Sequence, residues 1–212
     1  MPPWQQARRQ RIVKAATAAL RRNEYDDIQI SDIARGAKVA RGTIYRYFGS
    51  KDELYAAVLL DWSAPALSTA TPPEKRSTVD SLHAKMAAII SVFERWPQFF
   101  KVYVSLRAST DQNAVRLISA FSDRSIANLA ADFAELGDRA EDVSTMLWSI
   151  MATMLTAAIY DERPMADVYR LTHEFIDLLA PQLDRRRPAK PVRAKPRRAP
   201  AESPETSPRS LA

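Results

Sequence analysis

The chain contains no cysteine, and that single absence removes disulfides, thiolate catalysis and the common cysteine-based zinc fingers together. Histidine is nearly as scarce, with His83 and His173 as the only imidazoles, far apart in sequence. The expectation is therefore a protein with no metal and no cofactor. No unbroken apolar run reaches the roughly 18 residues of a membrane span, and the N-terminus lacks the layout of a signal peptide. A soluble, cytoplasmic protein with no membrane partner is the expectation that follows. Glycine is down to four residues, and no stretch alternates apolar and polar side chains at the period of a strand. With alanine and leucine abundant, the pattern predicts an all-α chain, and its 212 residues suffice to bury a substantial core.

What is present is charge, unevenly placed. Residues 1–50 carry ten Lys/Arg against four Asp/Glu, residues 51–183 carry twelve against eighteen, and residues 184–212 carry nine against three. A basic head, an acidic body and a basic tail place the attraction for phosphate at the two ends.

The most specific signal is Ile30 to Leu54, ISDIARGAKVARGTIYRYFGSKDEL. Ile30, Ile33, Ala34 and Ala37 recur at helical spacing, so one face of a short helix is apolar and can be buried. A second helix from about Arg41 to Tyr47 is too short to stand alone and must be held by its neighbours. Two short helices joined by a tight turn, the second free to face outward, have the geometry of a helix-turn-helix reading head. Ser50 reads as the N-cap of a following helix, with Asp52 and Glu53 in the first turn where the helix dipole favours carboxylates.

This block closely resembles the TetR family of transcriptional repressors (TetR/AcrR type), through Ile33, Ala34, Ala37, Val39, Gly42, Thr43, Ile44, Tyr45, Tyr47, Phe48, Ser50, Lys51 and Leu54. The resemblance runs from about Arg8 to about Leu60. Asn23-Glu24-Tyr25 ends the first helix where the family usually has a glycine, and two further positions depart from the family's pattern. The turn residue, usually glycine, is Lys38, and the residue before the reading helix, often serine, is Ala40. A left-handed lysine would cost about 1 kcal/mol relative to glycine, and a missing side-chain cap about as much.

The resemblance implies an all-helical fold: a helix-turn-helix domain over residues 1–50, a ligand-binding and dimerisation domain over 51–183, and a tail over 184–212. It implies double-stranded operator DNA, a small-molecule effector and a second copy of the chain as partners. Arg41, Gly42 and Thr43 would lie at base edges, Thr43, Tyr45, Tyr47 and Lys51 would hold phosphates, and Arg46 would face the DNA with them. It also implies a cavity in the body, for which Trp96, Phe100, Tyr103, Met151 and Met154 are candidate lining residues, Tyr103 and Thr153 supplying polar contacts.

Periodicity divides the body further. A helix through Leu54, Ala57 and Val58 should end near Trp62, with Pro65 and Pro72-Pro73 in a break. Helices follow over about 74–96, 98–108, 111–135, 140–160 and 163–183, with Leu136-Gly137-Asp138 as a turn. The 140–160 segment is apolar nearly all round, so it should bury one face in its own core and offer the other to a second chain. The tail is proline- and arginine-rich and should be disordered; it either holds DNA phosphates or is a solvated extension.

The leading function is a dimeric repressor released from its operator by an apolar or amphipathic ligand. The alternative is a ligand-independent architectural DNA binder that relies on its basic tail. Carboxylate pairs such as Asp132 with Glu135, or Asp161 with Glu162, are read as surface and turn charges, so no enzyme is expected.

Overall fold

The computed structural model describes residues 1–68 and 78–184, and among them the regular structure is helical throughout. The elements are α1 (Pro3–Leu20), α2 (Ile30–Ala37), α3 (Arg41–Tyr47), α4 (Lys51–Ser68), α5 (Thr78–Arg95), α6 (Pro97–Leu106), α7 (Gln112–Asp132), a 3-10 segment (Ala134–Arg139), α8 (Ala140–Tyr160) and α9 (Met165–Asp184). The break expected at Pro72-Pro73, the helix start expected near Glu74 and, but for Asp184 at the end of α9, the tail expected over 184–212 lie outside the described residues.

Helix α1 begins about five residues earlier than the family resemblance, because Pro3 sits at its first position, where no N–H is needed. It buries Ile12, Val13, Ala16 and Leu20 against α2 and α4. Helix α4 is longer than expected. It continues through Pro65 to Ser68; a proline in the last turn disturbs only the few hydrogen bonds at the helix end. From Leu54 to Leu59 every residue of α4 is buried, since the helix lies between α1 on the head side and α6 and α7 on the body side.

Pro97 opens α6 rather than kinking a continuous helix, with Trp96 at the break, and Asp111 caps α7 by accepting from the N–H groups of Asn113 and Ala114. The turn at Leu136-Gly137-Asp138 is wound into the 3-10 segment, where Gly137 takes φ +61°. Helices α5 and α9 pack together, as do α7 with α8 and α8 with α9.

Residues 134–160 are, among the described residues, one stretch long and apolar enough to cross a membrane by length and composition, with mean hydropathy 1.4. Serines and threonines interrupt its apolar run in the sequence without lowering that mean much. In the fold α8 buries Val143, Leu147, Met151 and Leu155 against its neighbours, while Met146 and Thr153 are exposed.

Candidate nucleic-acid interface

Helix α2 ends in a pair of reverse hydrogen bonds. The Val39 N–H reaches the Ala34 carbonyl (3.0 Å) and the Lys38 N–H reaches that of Arg35 (3.2 Å). This is the Schellman arrangement, which requires a left-handed residue in the middle, and Lys38 supplies it at φ 54° and ψ 51°. The chain accepts the left-handed lysine anticipated from the sequence. As Ala40 foretells, α3 has no side-chain cap.

The turn sets α3 on the head with Ile44 buried beneath it and Phe48 closing its far end. Arg41, Gly42, Tyr45 and Arg46 are exposed, and Thr43 and Tyr47 are half-buried. A Cβ placed on Gly42 would meet nothing within 4 Å, so the fold itself does not require glycine there. The Arg41 guanidinium lies over the Tyr45 ring at 5.9 Å, and Arg9 of α1 covers Phe48 at 5.0 Å. Cations therefore rim both ends of the exposed helix.

Lys51 sits differently from a free phosphate ligand. Its ammonium donates to the Tyr25 carbonyl and lies 4.4 Å from the centre of the Tyr25 ring. Burial pushes its pKa below the ordinary lysine value, against the pull of Asp26 and Asp52. One of its three donors is engaged, and the side chain is half-exposed.

A polar clasp joins this head to the body. Ser50 caps α4 at the Glu53 N–H (2.9 Å), the Glu53 carboxylate reaches back to the Gly49 N–H (2.7 Å), and Ser50 also bonds Asp111. Asp52 accepts from the Tyr25 hydroxyl on the head and from the Ser109 hydroxyl in the α6–α7 loop. Burial, then the hydrogen bond to Asp52, holds the Tyr25 phenol well above its ordinary pKa, while the Ser50 hydroxyl and backbone N–H groups hold Asp111 below its own. Outside this network Lys101 pairs with Glu24 at 3.1 Å, and Arg21 covers the Trp96 ring at 5.2 Å.

Residues 12–58 match the family described as bacterial regulatory proteins, tetR family. Over that N-terminal stretch the chain is similar to that family. It is 46% identical over 57 residues to an uncharacterized HTH-type transcriptional regulator of Mycobacterium tuberculosis, a match that covers 27% of each chain. The chain thus spans little more than a quarter of that relative's length. Two solved structures share the fold over most of the chain: a TetR regulator from Rhodococcus sp. RHA1 (TM-score 0.68, 20% identity, 83% of this chain and 96% of that one), and Thermus thermophilus FadR, a repressor in complex with lauroyl-CoA (TM-score 0.67, 16% identity, 79% and 92%).

The body of the chain holds a small apolar cavity of about 20 Å3, walled by Trp62, Ile89, Phe93, Phe121, Ser125 and Trp148. Trp62 of α4 faces into the body and stacks on Phe99, ring centres 4.2 Å apart. Beside the cavity an open groove of about 390 Å3 runs between α6, α7 and α8, with Trp148 common to both. Of the residues expected to line a pocket, Tyr103 lines the groove, where its hydroxyl meets that of Ser122 at 3.2 Å.

The other five are not gathered around either space. Phe100 and Met151 are buried in the packing, Met154 is half-buried, Thr153 is exposed on α8, and Trp96 lies at the head–body junction. Asp132 is an ion-pair partner of the buried Lys85, which accounts for that carboxylate structurally. Sequence reading missed Tyr25, Ser109 and Asp111 of the clasp. Asp111 alone left a usable signal, a helix N-cap.

Proposed function

We propose that the chain is a cytoplasmic, homodimeric repressor that holds double-stranded operator DNA through residues 1–50 and releases it when a small apolar or amphipathic molecule binds within residues 51–183. One observation carries the reading: a basic segment holds a seven-residue helix by a Schellman turn and a single buried isoleucine, leaving Arg41, Gly42, Tyr45 and Arg46 outward.

Arg41, Gly42 and Thr43 are assigned to base edges, and Thr43, Tyr45, Arg46, Tyr47 and Lys51 to phosphates. The open space around Gly42 favours close approach of DNA to the α3 backbone. Lys51 keeps two donors for a phosphate while the third stays on Tyr25. Exposed Met146 and Leu178, with half-buried Ile150, Leu171 and Phe175, favour α8 and α9 as the surface that meets a second copy. Two copies would present two reading helices to half-sites about 34–36 Å apart. The basic tail of residues 184–212 is assigned to additional phosphate contacts.

Release requires a ligand that binds better to a conformation with wrongly spaced reading helices. Helix α4 suits the transmission, because it starts in the clasp beside α3 and carries Trp62 into the cavity wall. The Thermus relative was solved with an acyl-CoA bound, which supports an amphipathic effector here.

The test is selection of bound fragments from random duplex DNA, followed by titration against competitor DNA at rising salt. A recurrent two-fold symmetric sequence that survives competitor is the expected result. Equal affinity for all duplexes would overturn the repressor reading.

A further inference from the structure

The groove between α6, α7 and α8 differs chemically from the small apolar cavity that shares its Trp148 wall. To an apolar floor that includes Ile118 it adds the hydroxyls of Ser119, Ser122 and Ser149 and one guanidinium, that of Arg107. Arg107 follows directly on α6 and is exposed, with its guanidinium 6.0 Å from the centre of the Tyr103 ring. No carboxylate among the described residues lies within 4.0 Å of it. Asp123 lines the same groove and is likewise outside ion-pair distance of any cation among the described residues.

An arginine is a better ligand anchor than an isolated aspartate. Its planar fork offers parallel donors to a carboxylate, and it is more weakly hydrated than a compact charge. The net negative charge of the body opposes an anion only at long range, where salt screens it. Position in the chain adds a second argument. Arg107 stands two residues before Ser109, whose hydroxyl holds Asp52 at the start of α4, and four before Asp111, which bonds Ser50. A force on the guanidinium therefore acts on the loop that clasps the head.

We infer that the groove binds the acid group of an amphipathic carboxylate at Arg107, its apolar chain lying on Ile118 and Trp148, and that this contact acts on the clasp through residues 107–111. The inference rests on the ligand-responsive reading above and names its ligand class. A neutral apolar molecule would miss the anchor.

The test uses the full chain with sodium octanoate, octan-1-ol and octylamine as probes, measured by calorimetric titration against wild type, Arg107→Gln and Arg107→Lys. Octanoate should bind wild type about tenfold more tightly than Arg107→Gln, the scale of a charged hydrogen bond. Arg107→Lys should fall between, and octanol should not distinguish the variants. The exposure of Arg107 makes loss of folding a poor explanation for any change, and thermal melting checks it. Equal octanoate affinity for wild type and Arg107→Gln, no octanoate binding to wild type, or tighter binding of octylamine would each overturn the inference.

Operator titration of the same samples separates this inference from the function it rests on. Arg107-dependent octanoate binding that leaves operator affinity unchanged would keep the groove site and sink ligand-controlled release. Release by octanoate that persists in Arg107→Gln would keep ligand control and sink the Arg107 site.

Discussion

Helices α3 and α4 are neighbours in the chain and are built to opposite plans. Helix α3 buries one residue, Ile44, and turns its charged and aromatic side chains outward. Helix α4 buries every residue from Leu54 to Leu59 between head and body. A seven-residue helix cannot hold itself together in water, so the stability of α3 is lent by its surroundings. The difference teaches a division of labour: side chains on α3 are free for other contacts because they carry almost none of the packing, whereas α4 is packed against both regions and, under the proposed function, would carry movement from one to the other.

The largest test of that division is Leu59→Ala. Truncating a fully buried leucine in α4 should cost about 2–5 kcal/mol of stability, read by denaturant unfolding. A loss well under 1 kcal/mol would mean that α4 is not packed from both sides. Next comes Arg41→Ala on α3, which should leave unfolding unchanged and cost about 1–3 kcal/mol of operator affinity on the preferred sequence only. Equal losses on every duplex would move Arg41 to the phosphate contacts.

The clasp sits where the two plans meet. Ser109→Ala removes a hydrogen bond to Asp52 and should weaken operator binding by about 1 kcal/mol, because the head loses part of its fixed orientation. Anisotropy titration against an unchanged melting curve measures this. Lys38→Gly should go the other way, stabilising the head by about 0.5–1 kcal/mol, since relief of the left-handed lysine is partly offset by the greater unfolded-state freedom of glycine. Urea unfolding that shows a loss instead would mean that the lysine side chain makes a compensating contact.

The smallest effect belongs to the body. His83 and His173 stack with ring centres 4.5 Å apart. Burial, then the neighbouring His83, lowers the His173 pKa from 6.5, and the nearby Asp177 only partly opposes this. The folded chain therefore binds that proton less readily than the unfolded chain. Its contribution to stability is complete above the ordinary imidazole range and is lost as pH falls through it. His173→Gln should flatten this slope in thermal unfolding measured from pH 8 to pH 5; an unchanged slope would assign the acid sensitivity elsewhere.

Local sequence determined a good deal. The helices over 112–132, 140–160 and 165–184 lie within a few residues of their expected spans, because amphipathic periodicity and the stop signals at Gly137, Asp161 and Pro164 act on neighbouring residues. The left-handed Lys38, the uncapped start of α3 and the Ser50 cap were equally legible, each being settled within a turn or two of chain. The fate of Pro65 was not, since a proline in the last turn disturbs only the few hydrogen bonds at the helix end and need not stop the helix.

The cavity and the groove were the least legible. Trp96, Phe100, Met151, Thr153 and Met154 look as suited to a pocket as Phe121 or Trp148, but which aromatic walls a space depends on the angles at which α4, α5, α7 and α8 cross. The clasp is of the same kind, since Ser50 and Asp111, or Asp52 and Ser109, meet only after helices from distant parts of the chain have packed. Sequence by itself therefore determined the helices, the turn and the exposed short helix α3, whose causes are local. Tertiary packing alone decided the cavity, the groove and the grip of body on head, because contacts between residues far apart in the chain exist only once the core has closed.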